Sequence, residues 1–478
     1  MYNFKKAIGS AASALVIAIG ITGVQTTAHA QDGKIGGFDI PGSITSKTRP
    51  NTERRKTFKK RSEVVVSQSS GSKVRTIQQA MRVVQPGGTI IVRGGVYTEN
   101  VDVTKPVAII GAVGDYGREP IIRPVSSAPC LSIAPGTPVA RVSVEKMLFE
   151  FDHERASGPC IDVQGGSVAL RDSAILPIDA DIPIRAAYGQ LRSDQYRREQ
   201  IARPPRDKSD EALRLSRLES YISRHARPVG ADNKNWDFIT GGSDLVGYSH
   251  VAKNAMARSF SGPVAGVRVS AGEVELNNNT IIGTQTAVEF ESLNRALVNG
   301  SLSNNIIVGN GDGISAGGRL DDLLVTRNTI KFNNGAGIAV DARDGYGEVK
   351  ILANLIMGNE MGVYLSEKVR AATVNSNLIA QNIGDAMQMS SGFFGAIAGN
   401  TFADNDGCTV QFFSAEQKEL NDAYIKVIAG EDFDPRFNYD ETNYAIDNIG
   451  DAGKKRKKRR RKKRDYGMVT LPECAATL

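Results

Sequence analysis

From Thr76 to Val84 the apolar residues Ile77, Ala80, Met81 and Val84 share one helical face, the mark of a short amphipathic helix. Pro86-Gly87-Gly88 stops it. The period then changes. Short β-rich runs follow at Thr89–Val92, Val101–Val103 and Val107–Ile110, separated by glycine or proline. Further on, six runs mostly alternate apolar with small or polar residues: Val288–Glu291, Ile314–Ala316, Ile338–Asp341, Val363–Ser366, Met387–Ser390 and Thr409–Phe412. Such alternation predicts strands with one buried face.

An asparagine pair precedes five of these runs, at Asn305/Asn310, Asn328/Asn333, Asn354/Asn359, Asn377/Asn382 and Asn400/Asn405. Before the first run stands an incomplete copy, Asn279 with Thr284. The leading asparagines are 26, 23, 26, 23 and 23 residues apart, a period that marks a solenoid. No asparagine occurs between positions 101 and 232, so the bias belongs to the repeat. The period is too short for a strand plus a crossover helix. It suits a coil of three short strands and three turns. Asparagine tolerates the left-handed turn conformation and bonds to backbone. Asn279, Asn305, Asn328, Asn354, Asn377 and Asn400 are therefore expected to stack as a structural ladder.

These Asn-x-Ile-x-x-Asn-x-x-Gly-Ile-like coils over 279–412 resemble the right-handed parallel β-helix proteins of the pectin-lyase-like superfamily. The segment Thr76–Val103 resembles that group's cap helix and first coil. The resemblance covers roughly 75–415 with one interruption and implies an all-β, right-handed parallel β-helix solenoid with a short N-terminal cap helix and a helical insertion. It is specific for fold and not for function, since the fold carries lyases, hydrolases, esterases, epimerases and adhesins. The Gly-His-Gly turn of polygalacturonases, the Trp-Ile-Asp-His segment of pectate lyases and the epimerase signature are missing.

The coils at Gly158–Ile175 and Gly262–Ile281 read as neighbours, which makes 176–261 an insertion between them. Two charged stretches in it, Ala186–Ala202 and Asp210–Ala226, read as helical, with a break at Pro204-Pro205. The insertion is either a functional flap, with Trp236 or Tyr248 stacking on a sugar ring, or a decorative or oligomerising hairpin. At the start of the chain, Lys5 and Lys6 precede the apolar stretch Ala11–Val24 and then Ala28-His29-Ala30. The expected organisation is a signal peptide at 1–30, a basic linker at 31–62, the β-helix at 63–415 and a C-terminal extension at 416–478. The expected location is periplasmic or extracellular, with no membrane span in the mature protein.

Charge changes the picture at one place. The net charge is +7, but Lys454–Arg464 alone carries eleven positive charges, so the remainder stands at −4 (7 less 11). That run predicts an exposed tether for an anionic partner: an acidic polysaccharide, a lipopolysaccharide or phospholipid surface, or nucleic acid outside the cell. Four cysteines exclude a disulfide-built scaffold. Cys130 and Cys160 take the same place in successive coils and are expected to pair, as are Cys408 and Cys474. No two of the four histidines have metal-ligand spacing. No cofactor is identified, and Ca2+ stays an open option that no motif supports.

The outward positions of the repeated strand give the candidate site. They are Asp162, Gln164, Arg268, Ser270, Glu289, Glu291, Ser315, Asp341, Tyr364, Ser366, Gln388 and Ser390. Adjacent strands lie about 4.8 Å apart, so Asp162, Arg268 and Glu289 are expected as neighbours. They form the candidate catalytic set; Glu291, Arg295, Asp341, Arg343 and Tyr364 form the substrate-binding set. A cation that neutralises a sugar carboxylate beside a base for its α-proton is what a uronate lyase or epimerase requires. Two functions stand: a protein that binds and modifies an acidic polysaccharide, or a non-catalytic envelope or surface protein that binds glycan or an anionic surface.

Overall fold

The computed structural model describes residues 60–113, 119–152, 157–178, 263–293, 296–342, 348–366, 368–369, 371–389, 394–412 and 443–446. The signal segment, linker residues 31–59, basic run, Arg295, Arg343, Ser390, Cys474, Trp236, Tyr248 and both helical stretches of the insertion lie outside them, while the expected end of the linker at 62 is overrun by the strand Arg61–Val66 of the first sheet. The chain divides into two compact units, Met1–Thr57 and Phe58–Leu478, and everything described here belongs to the second.

Each coil contributes one strand to each of three parallel sheets of 11, 11 and 10 strands. In chain order the coil holding Asn279 runs Gly272–Asn277 in the first sheet, Thr280–Ile282 in the second and Thr286–Glu291 in the third. Inward positions of all three sheets meet in one continuous core of Val, Ile, Leu and Phe. Burial there is the main stabilising term, because every coil hides its apolar side against its neighbours. The chain is thus an all-β, right-handed parallel β-helix with one described helix.

That helix, Ile77–Val83, matches the expected segment. Thr76 accepts a bond from the Gln79 N–H, while the Glu99 carboxylate accepts from the N–H groups of Ile77 (2.8 Å) and Gln78 (3.0 Å). Ile77, Ala80 and Met81 are buried at the N-terminal end of the core.

The turn between the first and second sheets explains the asparagine period. The residue before each leading asparagine takes the left-handed conformation: Asn278, Asn304, Arg327, Ala353, Ser376 and Gly399. The asparagine itself does not, which corrects the expected division of labour. Its task is hydrogen bonding. Asn354 Oδ1 accepts from the Asn328 N–H (2.9 Å) and amide (3.1 Å), and the Asn354 amide donates to Val325 O (2.8 Å) and Asn377 Oδ1 (3.0 Å). The same bonds link Asn279, Asn305, Asn328, Asn354, Asn377 and Asn400. Ser173 opens the ladder and Asn443 extends it. The second asparagines, Asn310 to Asn405, form a parallel ladder one turn on.

Three expectations need correction. The solenoid does not end near 415, because Tyr444–Ile446 pairs with Thr401–Ala403. The insertion begins later than 176, since Ala174–Pro177 is a second-sheet strand. It leaves after Ile178 and the described chain resumes at Pro263, so it replaces a turn between the second and third sheets. Cys130 and Cys160 are buried free thiols. Each stands immediately before a third-sheet strand, Leu131–Ile133 or Ile161–Val163, and these paired strands set adjacent coils about 4.8 Å apart, more than the roughly 3.5–4.5 Å between Cβ atoms that a disulfide requires. Burial above all, and the adjacent Cys130, push the Cys160 thiol well up from its ordinary value. Cys408 is disulfide-bonded, and Cys474, its expected partner, lies outside the described residues.

Candidate functional site

Alternation on the third sheet follows from sequence. Val267 and Val269 point into the core, so Arg268 between them points out. Register makes the outward residues two columns. One runs Asp162, Arg268, Glu289, Ser315, Ala339, Tyr364, Gln388 and Gln411. The other contains Glu291, Gly317 and Asp341. Asp162, Arg268 and Glu289 are therefore consecutive. Tyr364 is not beside them: it lies three strands beyond Glu289, about 14 Å at about 4.8 Å per strand. Asp341 is two strands beyond Glu291 in its own column.

Arg268 turns back toward Asp162. Its Nε and Nη2 donate to the two carboxylate oxygens at 3.1 and 3.2 Å, and Gln164 Nε2 donates to Oδ2 at 2.8 Å. Asp162 is only 3% exposed, a burial that these three bonds offset. The bond to Asp162 is the main cause holding the Arg268 guanidinium above its ordinary value. By contrast, Arg171 on the first sheet grips Glu275 at 2.8 Å with both side chains some 40% exposed, a surface pair of little energetic weight.

Because Arg268 faces Asp162, Glu289 is left underserved. Its Oε2 is buried and has no hydrogen-bond partner. Burial first, then Glu291, raise the Glu289 carboxyl above its usual range; Arg268 opposes them and Asp162 adds to them. Next to Glu289 the face is lined by small residues, Ser315, Gly317 and Ala339. Tyr364 and Asp341 stand at the far side, with Lys368 Nζ donating to both Asp341 oxygens at 2.9 and 3.2 Å. The result is a shallow trough one to two strands wide, with carboxylates at one end and a phenol and an ion pair at the other.

Two participants escape sequence reasoning. Lys368 sits in the irregular turn after the strand, where no period marks it. Asn443 follows Asn400 by 43 residues, outside the repeat spacing, yet accepts the ladder bond from Asn400 N–H at 3.0 Å. A signal for it existed: Asn448 stands five residues on, as in the other pairs. Among the described residues no three His, Cys, Asp or Glu side chains converge as a metal site.

A stack of coils with paired asparagine ladders and three parallel sheets defines the class: a right-handed parallel β-helix repeat protein. Residues 264–425 match the family model described as the right handed beta helix region. No curated protein and no solved structure matches the chain.

Proposed function

We propose that the third-sheet face binds an acidic polysaccharide laid along the solenoid axis, in a protein exported by its N-terminal segment. The observation that carries this reading is Glu289 Oε2, a buried oxygen without a partner at the edge of the small-residue trough. Native structures rarely leave such an atom unserved, and a ligand group is one way to satisfy it. A carboxyl with a raised pKa keeps its proton further up the pH scale, and in its protonated form Glu289 can donate to a sugar carboxylate or hydroxyl beside the Asp162–Arg268 pair. Tyr364 offers a ring face at the other end of the trough. The basic run Lys454–Arg464 adds attraction to the same class of polymer or to an anionic surface.

One observation favours a catalytic form. A raised carboxyl beside a cation suits proton transfer, as in a lyase or epimerase. The experiment is a panel of acidic polysaccharides tested for affinity and for an unsaturated or epimerised product, using wild type, Glu289→Gln and Tyr364→Ala. Loss of affinity in both variants is expected. Loss of product with affinity retained in Glu289→Gln establishes the catalytic form. Wild-type affinity in both variants refutes the site.

A further inference from the structure

The third-sheet trough holds more acid than base. Two ion pairs within it cancel: Asp162 with Arg268 at 3.1 Å, and Asp341 with Lys368 at 2.9 Å. Glu289 and Glu291 remain. Both point outward from the strand Thr286–Glu291, two positions apart, while Phe290 between them is buried in the core. Arg268 and Asp162 act on Glu289 from the strands on one side, and Arg268 gives its Nε and Nη2 to Asp162. On the other side the next strand offers Ser315 and Gly317, and the one beyond it Ala339 and Asp341, so the register partners there bring no cation. An ionised Glu289 therefore stands beside a second carboxylate with one oxygen, Oε2, buried and without a donor. A proton on Glu289 relieves both penalties.

We propose that Glu289 is the selectivity residue of the trough, and that its proton decides whether an acidic sugar is admitted. The inference rests on the reading of this face as a site for acidic polysaccharide and adds a condition to it. With Glu289 protonated, the surplus negative charge of the trough is that of Glu291 alone, which is exposed and screened by solvent. The carboxylic O–H then donates to the sugar carboxylate, a shorter and stronger bond than a neutral donor makes. With Glu289 ionised, that donor is gone and two like charges meet at close range, a juxtaposition that rejects the ligand. The two self-neutralised ion pairs keep their charge in both states and so leave the decision to Glu289. The sign follows from linkage. Only the protonated fraction binds, so affinity for an acidic polysaccharide falls as pH rises through the folded-state pKa of Glu289, which burial and Glu291 hold above the usual carboxylate range.

The test is calorimetric titration of the full-length chain with a polyuronate oligosaccharide and with its carboxyl-reduced, neutral counterpart. Ionic strength is fixed and pH runs from about 5 to 8, a range in which lysine and arginine, the basic run included, keep their charge. Wild type, Glu289→Gln and Glu291→Gln are compared; the last alters an exposed side chain and serves as the second variant should Glu289→Gln fail to fold. Wild-type affinity for the polyuronate is expected to fall roughly tenfold or more across the range, while affinity for the neutral counterpart stays level. Glu289→Gln binds the polyuronate less tightly than wild type at the acid end, since an amide is the weaker donor, and its affinity does not change with pH. Glu291→Gln keeps the fall but moves it to lower pH, because it removes a charge that favours the proton on Glu289. A wild-type affinity for the polyuronate that ignores pH overturns the proposal. So does a fall that survives in Glu289→Gln, or one that the neutral counterpart shares. Absence of binding at every pH instead removes the face as a glycan site, and this inference with it.

Discussion

Single residues carry much of the specificity. Ala353 holds a left-handed backbone, φ 54°, that costs an L-residue energy glycine does not pay. Ala353→Gly is expected to stabilise the protein by about 0.5–1 kcal/mol, read as a raised denaturant midpoint at constant slope. Asn354→Ala acts in the opposite direction. It leaves the buried Asn328 N–H and the Val325 carbonyl without their bonds, at a cost of about 1–3 kcal/mol per orphaned group. An unaltered melting temperature would count against the ladder as a stabilising device. At Glu289 the sign follows from linkage: the folded-state pKa lies above the unfolded one, so the folded state binds the proton more tightly. The stabilisation is complete below the unfolded-state pKa and disappears as pH rises through the folded-state pKa. Glu289→Gln should remove this slope, so its melting temperature gains on wild type as pH rises across that window.

At the scale of elements, the cap helix is fastened from another segment. Thr76 satisfies one N–H of its first turn, and Glu99, reaching over from the first coil, satisfies two more. Glu99→Ala is expected to cost about 1 kcal/mol, within the range of lost helix caps, and to speed amide exchange at Ile77 and Gln78 ahead of the rest of the solenoid. The third-sheet strands show the complementary case. Arg268→Ala would strand the Asp162 carboxylate, at roughly 3–5 kcal/mol for a fully buried pair and less here because Arg268 keeps part of its surface in water. Glu289→Gln is therefore the cleaner probe of ligand binding, since it leaves the Asp162–Arg268 pair in place.

For the whole molecule, coil-on-coil contact makes stability a sum over neighbours. The basic run at 454–464 is expected to add nothing to that sum, because eleven like charges repel one another in a core. Deleting Lys454–Arg464 should leave the melting temperature unchanged and reduce retention on a heparin-like column. The loss should resemble the effect of added salt on the full-length chain. Equal retention of both proteins would remove the run from any account of partner binding.

The asparagine spacing, the alternation of Val267, Arg268 and Val269, and the helical pattern at Ile77 identify coil, outward face and cap from sequence alone. They can do so because turn stereochemistry and strand alternation act over a few residues and repeat. The consecutive placing of Asp162, Arg268 and Glu289 follows from the same repeat, even across the insertion. What those side chains do to one another is decided only by tertiary structure. Whether Arg268 turns to Asp162 or to Glu289 depends on burial and on the help of Gln164, and the isolated state of Glu289 Oε2 follows from that choice. The separation of Tyr364 from Glu289 depends on counting intervening coils. Lys368 reaches Asp341 from a turn of irregular length, and Asn443 joins the ladder after 43 residues, because closure in space is indifferent to the length of the connecting chain. Local rules write the coil; packing between coils sets the chemistry of its surface.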